Sequence, residues 1–548
     1  MKPNSYGGRL SSLIGHDRHT VRNILLYAIF SGLISLSLPL GIQAIINFIQ
    51  LGEITSSWVI LTLIVVAGSL FSGWIDILQL RAIENLQLKI FTNSAFMISS
   101  ALPRIDTKII GKYNLMELAN RFFDTISIQK SFQKLFRDLP ISIVQIFFGF
   151  ILLSAYHPFF VFLSVVILLS IWFLSKLLFQ RGLATSLEES KHKYKTAHWM
   201  EEISRVVRTF KMSGSELHLQ KTDHYVFDYL KSRSEHFRVI ISHTKLMIGF
   251  KAFIILSLLA LGGFLVIQGE INIGQFVAAE VVIILLVNSI EKLVSSFETG
   301  YDLLTSINKL SYLFDLPRED DTGKPFTEIP QGMKIEARNL TIIDHEYDYK
   351  MSMNFNIDPG ERIVLTGEEK AIKFHLGKVL VGFEKPQDGE LYFNDINVNN
   401  INLELFRRFT GDFVSEEDIF TAKLIENVTL GREIDQEWLK VVLHVTEVDR
   451  IANRIEQGFD TVLYSGTNVL TDLEIAKIMI ARSLVHKPEL IVYEHAMKTF
   501  DEEYKKKIVD FVTDKKNRWT VVAITEDDYF MSKCDREINL KDVGVKHG

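Results

Sequence analysis

The sequence predicts a membrane-embedded, all-α domain of six helices followed by a cytoplasmic α/β domain. The chain has 548 residues, of which 47% are hydrophobic, so it is too long for one domain and too apolar for an ordinary soluble pair. Every long uncharged apolar run lies before residue 300, whereas the remainder alternates strand-like and helical patterns rich in charge. We therefore expect a transmembrane domain at 1–315, a linker at 316–332 and a soluble domain at 333–548.

Six apolar runs are long enough to cross a bilayer, which takes about 20 apolar residues in a helix. Pro39 lies inside the first run and predicts a kink, and His157 with Pro158 divides one long run into two helices joined by a tight turn. A cleavable signal peptide is the alternative interpretation of the first run. The apolar region of a signal peptide is only about 7–15 residues long, however, and the first run is far longer. The predicted spans are residues 23–50, 54–75, 139–156, 158–175, 252–269 and 271–290.

The distribution of Lys and Arg predicts the orientation of these spans. Four such residues precede the first span and nine lie between positions 81 and 137, whereas the short connections after the first, third and fifth spans carry none. This positive-inside pattern places both termini in the cytoplasm. The expected location is the cell's inner (plasma) membrane. The two inner loops, residues 76–138 and 176–251, have helical patterns, so we expect the spans to continue as helices beyond the membrane.

Composition excludes several classes of function. The single cysteine, Cys534, rules out a disulfide framework, a cysteine-rich zinc site and a two-cysteine redox pair within the chain. The net charge of −6 is mild and evenly spread, so neither nucleic-acid binding nor an acidic tail is predicted. No metal site is predicted, and membrane lipid is the expected surrounding. Glu280 lies near the middle of the sixth span, where a carboxylate is costly, and we expect it to face inward.

Both halves of the chain contain sequence motifs that occur in the same order in a known protein family. Residues 101–124 and 211–216, in the two long inner loops, are similar to coupling segments, and Pro359–Gly367 reads as a strand running into a phosphate-binding loop. Further landmarks follow at matching spacing, namely Gly382, Pro386–Gly389, Glu426–Gly431, Ile480–Pro488, Leu490–Tyr493 and Asp501. On these residues the chain resembles a half-transporter of the ABC exporter family, and most of all its bacterial type I protein and peptide secretion branch.

The resemblance covers essentially the whole chain and implies a fold. That fold is a six-helix ABC exporter transmembrane domain followed by a cytoplasmic ABC ATPase-type domain, which is P-loop NTPase-like. It also implies a dimer, either of two copies of this chain or of this chain with an intact ABC half-transporter, and a periplasmic adaptor protein is a further candidate partner.

The phosphate-binding loop departs from the family pattern. Such a loop needs glycines so that backbone N–H groups can wrap the phosphates, a Lys for their charge, and a Ser or Thr hydroxyl for Mg²⁺. Gly367 and Lys373 remain, but Ile372 stands where the second glycine belongs and Phe374 where the hydroxyl belongs. The residues following Gly367 are two glutamates, whose carboxylates would repel a triphosphate.

The signature sequence, which is Leu-Ser-Gly-Gly-Gln in the family, is Leu470-Thr-Asp-Leu-Glu474 in this chain. Thr471 is able to replace the serine, but an aspartate and a leucine replace both glycines. At the end of the strand Leu490–Tyr493, Glu494 and His495 stand where the family has the magnesium-binding aspartate and the catalytic glutamate.

Three further positions differ from the family. Glu416 replaces a glutamine, Glu526 replaces the switch histidine, and Asp344 falls where an adenine-stacking aromatic is expected, although Tyr347 or Tyr349 could substitute. We therefore predict a pseudo-ATPase without catalytic residues, in which binding of ATP and Mg²⁺ is weak or absent. The vestigial nucleotide-binding set is Gly367, Lys373, Thr471, Glu494 and Asp501.

Three functions remain open from the sequence. The favoured one is a non-hydrolytic subunit or scaffold of an export or secretion assembly. The alternatives are an ATP-driven exporter of peptides or proteins across the inner membrane, and a receptor or channel-like membrane module whose soluble domain acts as a dimer clamp. The sequence does not name the transported substrate or the partner.

Overall fold

The computed structural model of the chain describes residues 17–50, 56–110, 115–319, 323, 324, 326, 332–344, 349–413, 419–464, 469–494 and 500–547. The chain divides into two compact units. The first unit comprises Met1–Ile105 and Lys112–Pro317, and the second comprises Asp106–Gly111 and Arg318–Gly548.

The first unit consists of helices, several of which are very long. Their bounds are α1 Arg18–Ser35, α2 Ser37–Gln50, α3 Ser56–Ala101, α5 Leu115–Asn120, α6 Asp124–Tyr156, α7 Pro158–Arg205, α8 Val207–Ser213, α9 Leu217–Ser257, α10 Gly263–Ile267 and α11 Ile273–Asp315, with α4, Thr107–Ile110, falling in the second unit. Leu102–Arg104 and Arg121–Phe123 form 3₁₀ turns, and Leu258–Gly262 forms a π-helical turn between α9 and α10.

Proline sets two helix boundaries in the first unit. The first helix is interrupted at Leu36, three residues before Pro39, because proline has no N–H to offer Ser35 and its ring crowds that carbonyl. The predicted kink is therefore confirmed. Pro158 is the first residue of α7, and His157 caps this helix by accepting the N–H of Phe159 on its Nδ1 at 3.2 Å.

The long helices agree with the expectation that the spans continue beyond the membrane. With 43 residues, α11 is about 65 Å long, whereas the hydrocarbon core of a bilayer is about 30 Å thick. Among the described residues, five helical segments are long and apolar enough to cross a membrane. They are Arg18–Gln50, Ser56–Arg104, Leu115–Tyr156, Leu217–Ile267 and Ile273–Asp315, and Pro158–Ser170 is a shorter apolar segment at the start of α7.

The second unit is an α/β domain with two main sheets. Its strands are β1 Ile335–Asp344, β2 Tyr349–Ile357, β3 Arg362–Thr366, β4 Asp388–Phe393, β5 Ile396–Asn397, β6 Thr410–Phe413, β7 Ala422–Lys423, β8 Val462–Leu463, β9 Leu490–Glu494, β10 Thr520–Ile524, β11 Arg536–Asn539 and β12 Gly544–His547. Its helices continue with α12 Lys370–Leu380, α13 Leu403–Phe406, α14 Leu424–Thr429, α15 Gln436–Val445, α16 Val448–Arg454, α17 Asp472–Leu484, α18 Glu502–Thr513, α19 Asp528–Lys533 and α20 Leu540–Val543.

The strand order explains where the core lies. One sheet has the order β12-β2-β1-β4-β5 with antiparallel pairs, and the other has the order β11-β3-β10-β9-β6 with parallel pairs. Alternate residues of β10 enter different cores, because Val522 packs with α12 and the antiparallel sheet whereas Val521 packs with α17 and α18. A parallel sheet that is covered on both faces leaves only its strand ends for binding.

Candidate nucleotide site

Three parallel strands end side by side at one edge of the second unit. Ile524, the last residue of β10, is paired with Leu365 of β3 and with Glu494 of β9. The residues that follow these strands therefore converge at the carboxyl edge of the sheet, which is where ligands bind in open α/β folds. Among the predicted site residues, the structure brings Gly367, Lys373, Glu494 and Glu526 to this edge.

The segment that should cradle phosphates is largely helical. Only residues 367–369 separate β3 from α12, and Glu369 is the N-cap of this helix. The backbone N–H of Lys373 donates to the carbonyl of Glu369 at 3.1 Å, as in an ordinary helical turn. In a phosphate-binding loop that N–H group would face the ligand instead, so one of the expected donors is already used within the chain.

The ammonium group of Lys373 is also engaged within the protein. Its Nζ donates to the carbonyl oxygen of Gly367 at 2.6 Å and to the carboxylate of Glu526 at 3.2 Å. The Lys373 side chain is only 1% exposed. Gly367 has φ of 146°, a backbone conformation open almost only to glycine, and this conformation places its carbonyl at the ammonium group. Glu526, predicted to stand at the switch position, is thus the counter-ion of Lys373.

The two other departures of this loop have separate consequences. Glu368 forms an exposed ion pair with Lys541 at 2.7 Å. The ring of Phe374 is 38% exposed, and the ammonium group of Lys378 lies 4.0 Å from its centre. Phe374 offers no oxygen for Mg²⁺, and among the described residues no group of His, Cys, Asp and Glu is arranged to hold a metal ion.

The signature segment begins α17 with a reciprocal cap. Thr471 is the N-cap, and its Oγ1 accepts the N–H of Glu474 at 3.3 Å while the Glu474 carboxylate accepts the N–H of Thr471 at 2.9 Å. Arg454 donates to the same carboxylate at 2.7 Å. The start of this helix, where the family would bind the phosphate of a nucleotide, therefore already holds the protein's own carboxylate.

The electrostatics of Glu474 agree with this geometry. Burial opposes ionisation of this carboxyl group, but the N–H of Thr471 and the guanidinium group of Arg454 outweigh burial, so the pKa of Glu474 is lowered. The carboxylate is consequently charged near neutral pH. Asp472 adds a second acidic side chain to the first turn of the same helix.

Two further residues of the predicted nucleotide-binding set are Asp501, which caps a helix, and Glu494, which is half-buried. Asp501 is the N-cap of α18 and accepts the N–H of Tyr504 at 2.8 Å, which is a helix-starting contact that the sequence comparison with the family did not reveal. Glu494 is half-buried at the last position of β9. Beside it, burial raises the pKa of Tyr493, so its phenol is neutral and supplies no base.

Several predicted positions fall outside the described residues. These are Glu416, His495 and Tyr347, and the side chains of Asp344 and Tyr349 are likewise not described. Glu280, in the first unit, is half-buried on α11. Sequence reasoning identified Glu526 as a replaced switch but not as the partner of Lys373, because a contact across 153 positions leaves no local pattern.

The first coupling segment makes a contact within the second unit. The hydroxyl of Thr107, on α4, donates to the carbonyl oxygen of Phe383, which follows α12. This segment lies in the stretch 101–124 that was similar to a coupling region.

Comparison with known proteins gives the class to which this architecture belongs. Residues 351–497 match the ABC transporter family. The chain also superposes on a bacterial Atm1-family ABC exporter with ATP bound, with a TM-score of 0.83 at 15% sequence identity, over 95% of this chain and 93% of that one. The chain therefore contains an ABC transporter domain and has the fold of an ABC exporter half-transporter, as predicted, and it is a multi-pass membrane protein.

Curated relatives point to one branch of this class. The chain is 25% identical over 255 residues to the colicin V secretion/processing ATP-binding protein CvaB of Escherichia coli, covering 45% of this chain and 36% of CvaB. It is 20% identical over 319 residues to the transport/processing ATP-binding protein ComA of Streptococcus pneumoniae, covering 57% of this chain and 44% of ComA. The chain thus spans about half the length of the curated relatives it matches, and their names favour the exporter alternative over a scaffold.

Proposed function

We propose that this chain is a subunit of an ABC assembly that exports peptides, and that its own nucleotide-binding domain does not hydrolyse ATP. One observation carries the second half of this proposal. The lysine that should bind the β- and γ-phosphates is buried and held by Gly367 and Glu526, so the positive charge that a nucleotide needs is already neutralised. ATP would have to displace Glu526 in order to reach it.

Electrostatics oppose that displacement. Glu368 and Glu369 follow Gly367 directly, at the position where a triphosphate would enter. Two like charges about 4 Å apart repel by roughly 4 kcal/mol at an effective dielectric constant of about 20. Lys541 offsets part of the charge of Glu368, but Lys373 would have to offset that of Glu369 and also give up its present bond to Glu526.

The opposite half of the site is equally unsuited to phosphate. A helix N-terminus binds anions through unpaired N–H groups and its positive dipole end. In α17 the Thr471 hydroxyl accepts the N–H of Glu474, the Glu474 carboxylate accepts the N–H of Thr471, and Asp472 adds negative charge. The family's phosphate-capping element is therefore self-capped in this chain.

Assembly as a dimer follows from how sites of this class are built, because each pocket takes its phosphate loop from one chain and its signature from the other. In a homodimer both pockets would carry both defects. With an intact half-transporter as partner, each pocket would carry one defect, so this subunit would add little hydrolysis even there. We infer a stable dimer whose formation does not require nucleotide, and a monomer by mass measurement in nanodiscs would contradict this inference.

The inferred cargo rests on similarity. CvaB and ComA are named as ATP-binding proteins of secretion, transport and processing, and the chain is similar to both. We infer a peptide as the cargo and the inner membrane, with both termini cytoplasmic, as the location. A periplasmic adaptor remains a candidate partner.

Turnover of ATP by the purified full chain in nanodiscs tests the proposal. We expect no turnover above that of a Lys373→Ala variant purified identically, because residual ATPase contamination would be equal in both. An intact ABC exporter reconstituted in the same nanodiscs shows that the assay is able to detect activity. Turnover that is present in the natural chain and lost in Lys373→Ala would overturn the non-hydrolytic half of the proposal.

The second candidate is a self-sufficient ATP-driven exporter, which the fold and the names of the relatives favour. Proteoliposomes that contain only this chain distinguish the two candidates. ATP-dependent uptake of a peptide into inside-out proteoliposomes would support the second candidate. Uptake that begins only when an intact half-transporter is added would support the first.

A further inference from the structure

A cleft of about 250 Å³ lies in the part of the first unit beyond the predicted spans. Three helical elements form it, namely α5 with the turn that follows it, α7, and the last two turns of α11. The residues of α7 that line the cleft recur at spacings of three and four, so they share one helix face. The lining residues are Glu117, Arg121, Lys191, Tyr194, Lys195, His198 and Lys309.

The cleft lies far from the lipid. Lys309 is nineteen positions beyond residue 290, where the predicted sixth span ends, which corresponds to about 28 Å along a helix. Lys195 is twenty positions beyond residue 175, the end of the fourth predicted span, which corresponds to about 30 Å. Lipid headgroups are therefore out of reach, and any ligand of this cleft must be soluble in the cytoplasm.

Positive charge dominates the lining. Arg121, Lys191, Lys195 and Lys309 face a single lining carboxylate, that of Glu117. Arg121 pairs with this carboxylate at 3.3 Å, and the buried carboxyl group of Asp124 interacts with Lys309, so Lys191 and Lys195 have no counter-ion among the lining residues. This arrangement is a concave, cationic surface of the kind that concentrates anions.

The cations are positioned but not fully satisfied. The Nζ of Lys309 donates to the carbonyl of Ser190 at 3.1 Å and lies 3.4 Å from the centre of the Tyr194 ring. Burial, together with nearby cations, lowers the pKa of Lys309 to about 7, so this side chain is only partly charged near neutral pH. Lys191 is paired outside the cleft with Glu188 at 3.1 Å, where both side chains are more than half exposed. Within the described part of the chain, Lys195 has no hydrogen bond or ion pair.

The floor of the cleft holds these groups in place. The carboxyl group of Asp124 is buried and hydrogen-bonded to Tyr194, which orients the ring beneath Lys309. The guanidinium group of Arg121 lies 4.6 Å from the centre of the ring of Tyr312, a residue of α11. Tyr194 and Tyr312 therefore position the basic side chains of Lys309 and Arg121 before any ligand binds, which reduces the conformational entropy that binding would cost.

We propose that this cleft binds a small, soluble anion that carries two or more phosphate or carboxylate groups. The volume is equivalent to about eight water molecules at about 30 Å³ each, which suits a compact polyanion better than a peptide. Charge-assisted hydrogen bonds from several directions favour an anion with more than one charged group over a monovalent ion. The site is separate from the nucleotide edge, because all of its residues belong to the first unit.

Calorimetric titration of the full chain in nanodiscs with sodium pyrophosphate tests this proposal, at a fixed ionic strength of about 0.15 M so that screening does not change. We expect saturable binding near one pyrophosphate per chain, and weaker binding of orthophosphate. Lys195→Gln and Lys191→Gln should each weaken pyrophosphate binding about tenfold, because each removes one charged contact.

Lys231→Gln is the matched control, because Lys231 is an exposed lysine on α9 outside the cleft and the change in net charge is the same. We expect it to leave the affinity unchanged. Absence of saturable binding at millimolar pyrophosphate, or equal losses in Lys195→Gln and Lys231→Gln, would overturn the proposal. Binding lost in Lys373→Ala but retained in Lys195→Gln would overturn it too, and would show that the nucleotide edge accepts phosphate.

Discussion

The interior of the second unit and its carboxyl edge differ in how they relate to the ABC transporter family. The interior packs as expected, since β9 and β10 are buried on both faces and end next to β3. At the ends of the same strands, Lys373 is bonded to Gly367 and Glu526, and we propose that this edge does not support ATP hydrolysis. The comparison teaches that packing and chemistry can be separated within one sheet, because the first depends on the strand interiors and the second on a few residues beyond them.

The largest expected effect lies in the interior. Phe393 is fully buried, and its ring centre lies 4.4 Å from that of Phe406. Phe393→Ala should lower the free energy of unfolding of the soluble domain by about 3–5 kcal/mol, because it removes a large apolar side chain and leaves a cavity. Thermal unfolding of the full chain, followed by fluorescence, measures this loss. A change below about 1 kcal/mol would show that this interior is not close-packed.

A smaller effect is expected where Lys373 meets Glu526. Glu526→Gln removes the counter-charge of a buried ammonium group, but Glu526 itself is 69% exposed and the pair is partly screened. We expect a loss of about 1 kcal/mol, or a melting temperature lower by about 2–4 °C. Lys373→Met should cost less than Glu526→Gln, since it removes the buried charge and keeps the volume. The reverse order would contradict the idea that Glu526 serves Lys373.

The cap of α17 should contribute a similar or slightly smaller amount. Thr471→Ala removes the hydroxyl that accepts the N–H of Glu474, and loss of such a cap costs about 1 kcal/mol. Thr471→Ser keeps the hydroxyl and is the matched control. Equal melting temperatures for the two variants would show that the hydroxyl has no capping role.

The smallest predicted effect is a pH dependence at Glu474. Because its pKa is lowered in the folded chain, its contribution to stability is fully present above its unfolded pKa of about 4.3 and is lost as the pH falls through the folded value. The stability difference between the natural chain and Glu474→Gln should therefore shrink as the pH is lowered from about 6 to about 3. A difference that grows on acidification would reverse the assigned sign.

The membrane helices could be predicted because their signals are local. Uncharged length, Pro39 and the His157-Pro158 pair each act within a few residues, and the helix boundaries at Leu36 and His157 follow them. The extension of α7 and α11 beyond the membrane was also expected from the helical patterns of the inner loops and is seen in their bounds.

At the carboxyl edge, the sequence predicts which family residues are replaced but not the contacts that the replacements make. That several family residues are replaced stays a prediction. The sequence does not predict the contact between Lys373 and Glu526, because that contact depends on the strand order. The role of Asp501 as the N-cap of α18 could have been found from sequence, since an aspartate directly before an acidic first turn is a common helix start.

Thermal unfolding of the full chain in nanodiscs with and without Mg-ATP tests the account most directly. A site whose dissociation constant for ATP is about one hundredth of the ATP concentration would stabilise the chain by about 2.7 kcal/mol. That stabilisation raises the melting temperature by roughly 5–10 °C. The account predicts a shift below about 1 °C at millimolar Mg-ATP, because Lys373 is already bonded to Gly367 and Glu526 and the Glu474 carboxylate already lies at the start of α17. A clear upward shift that disappears in Lys373→Ala would contradict it.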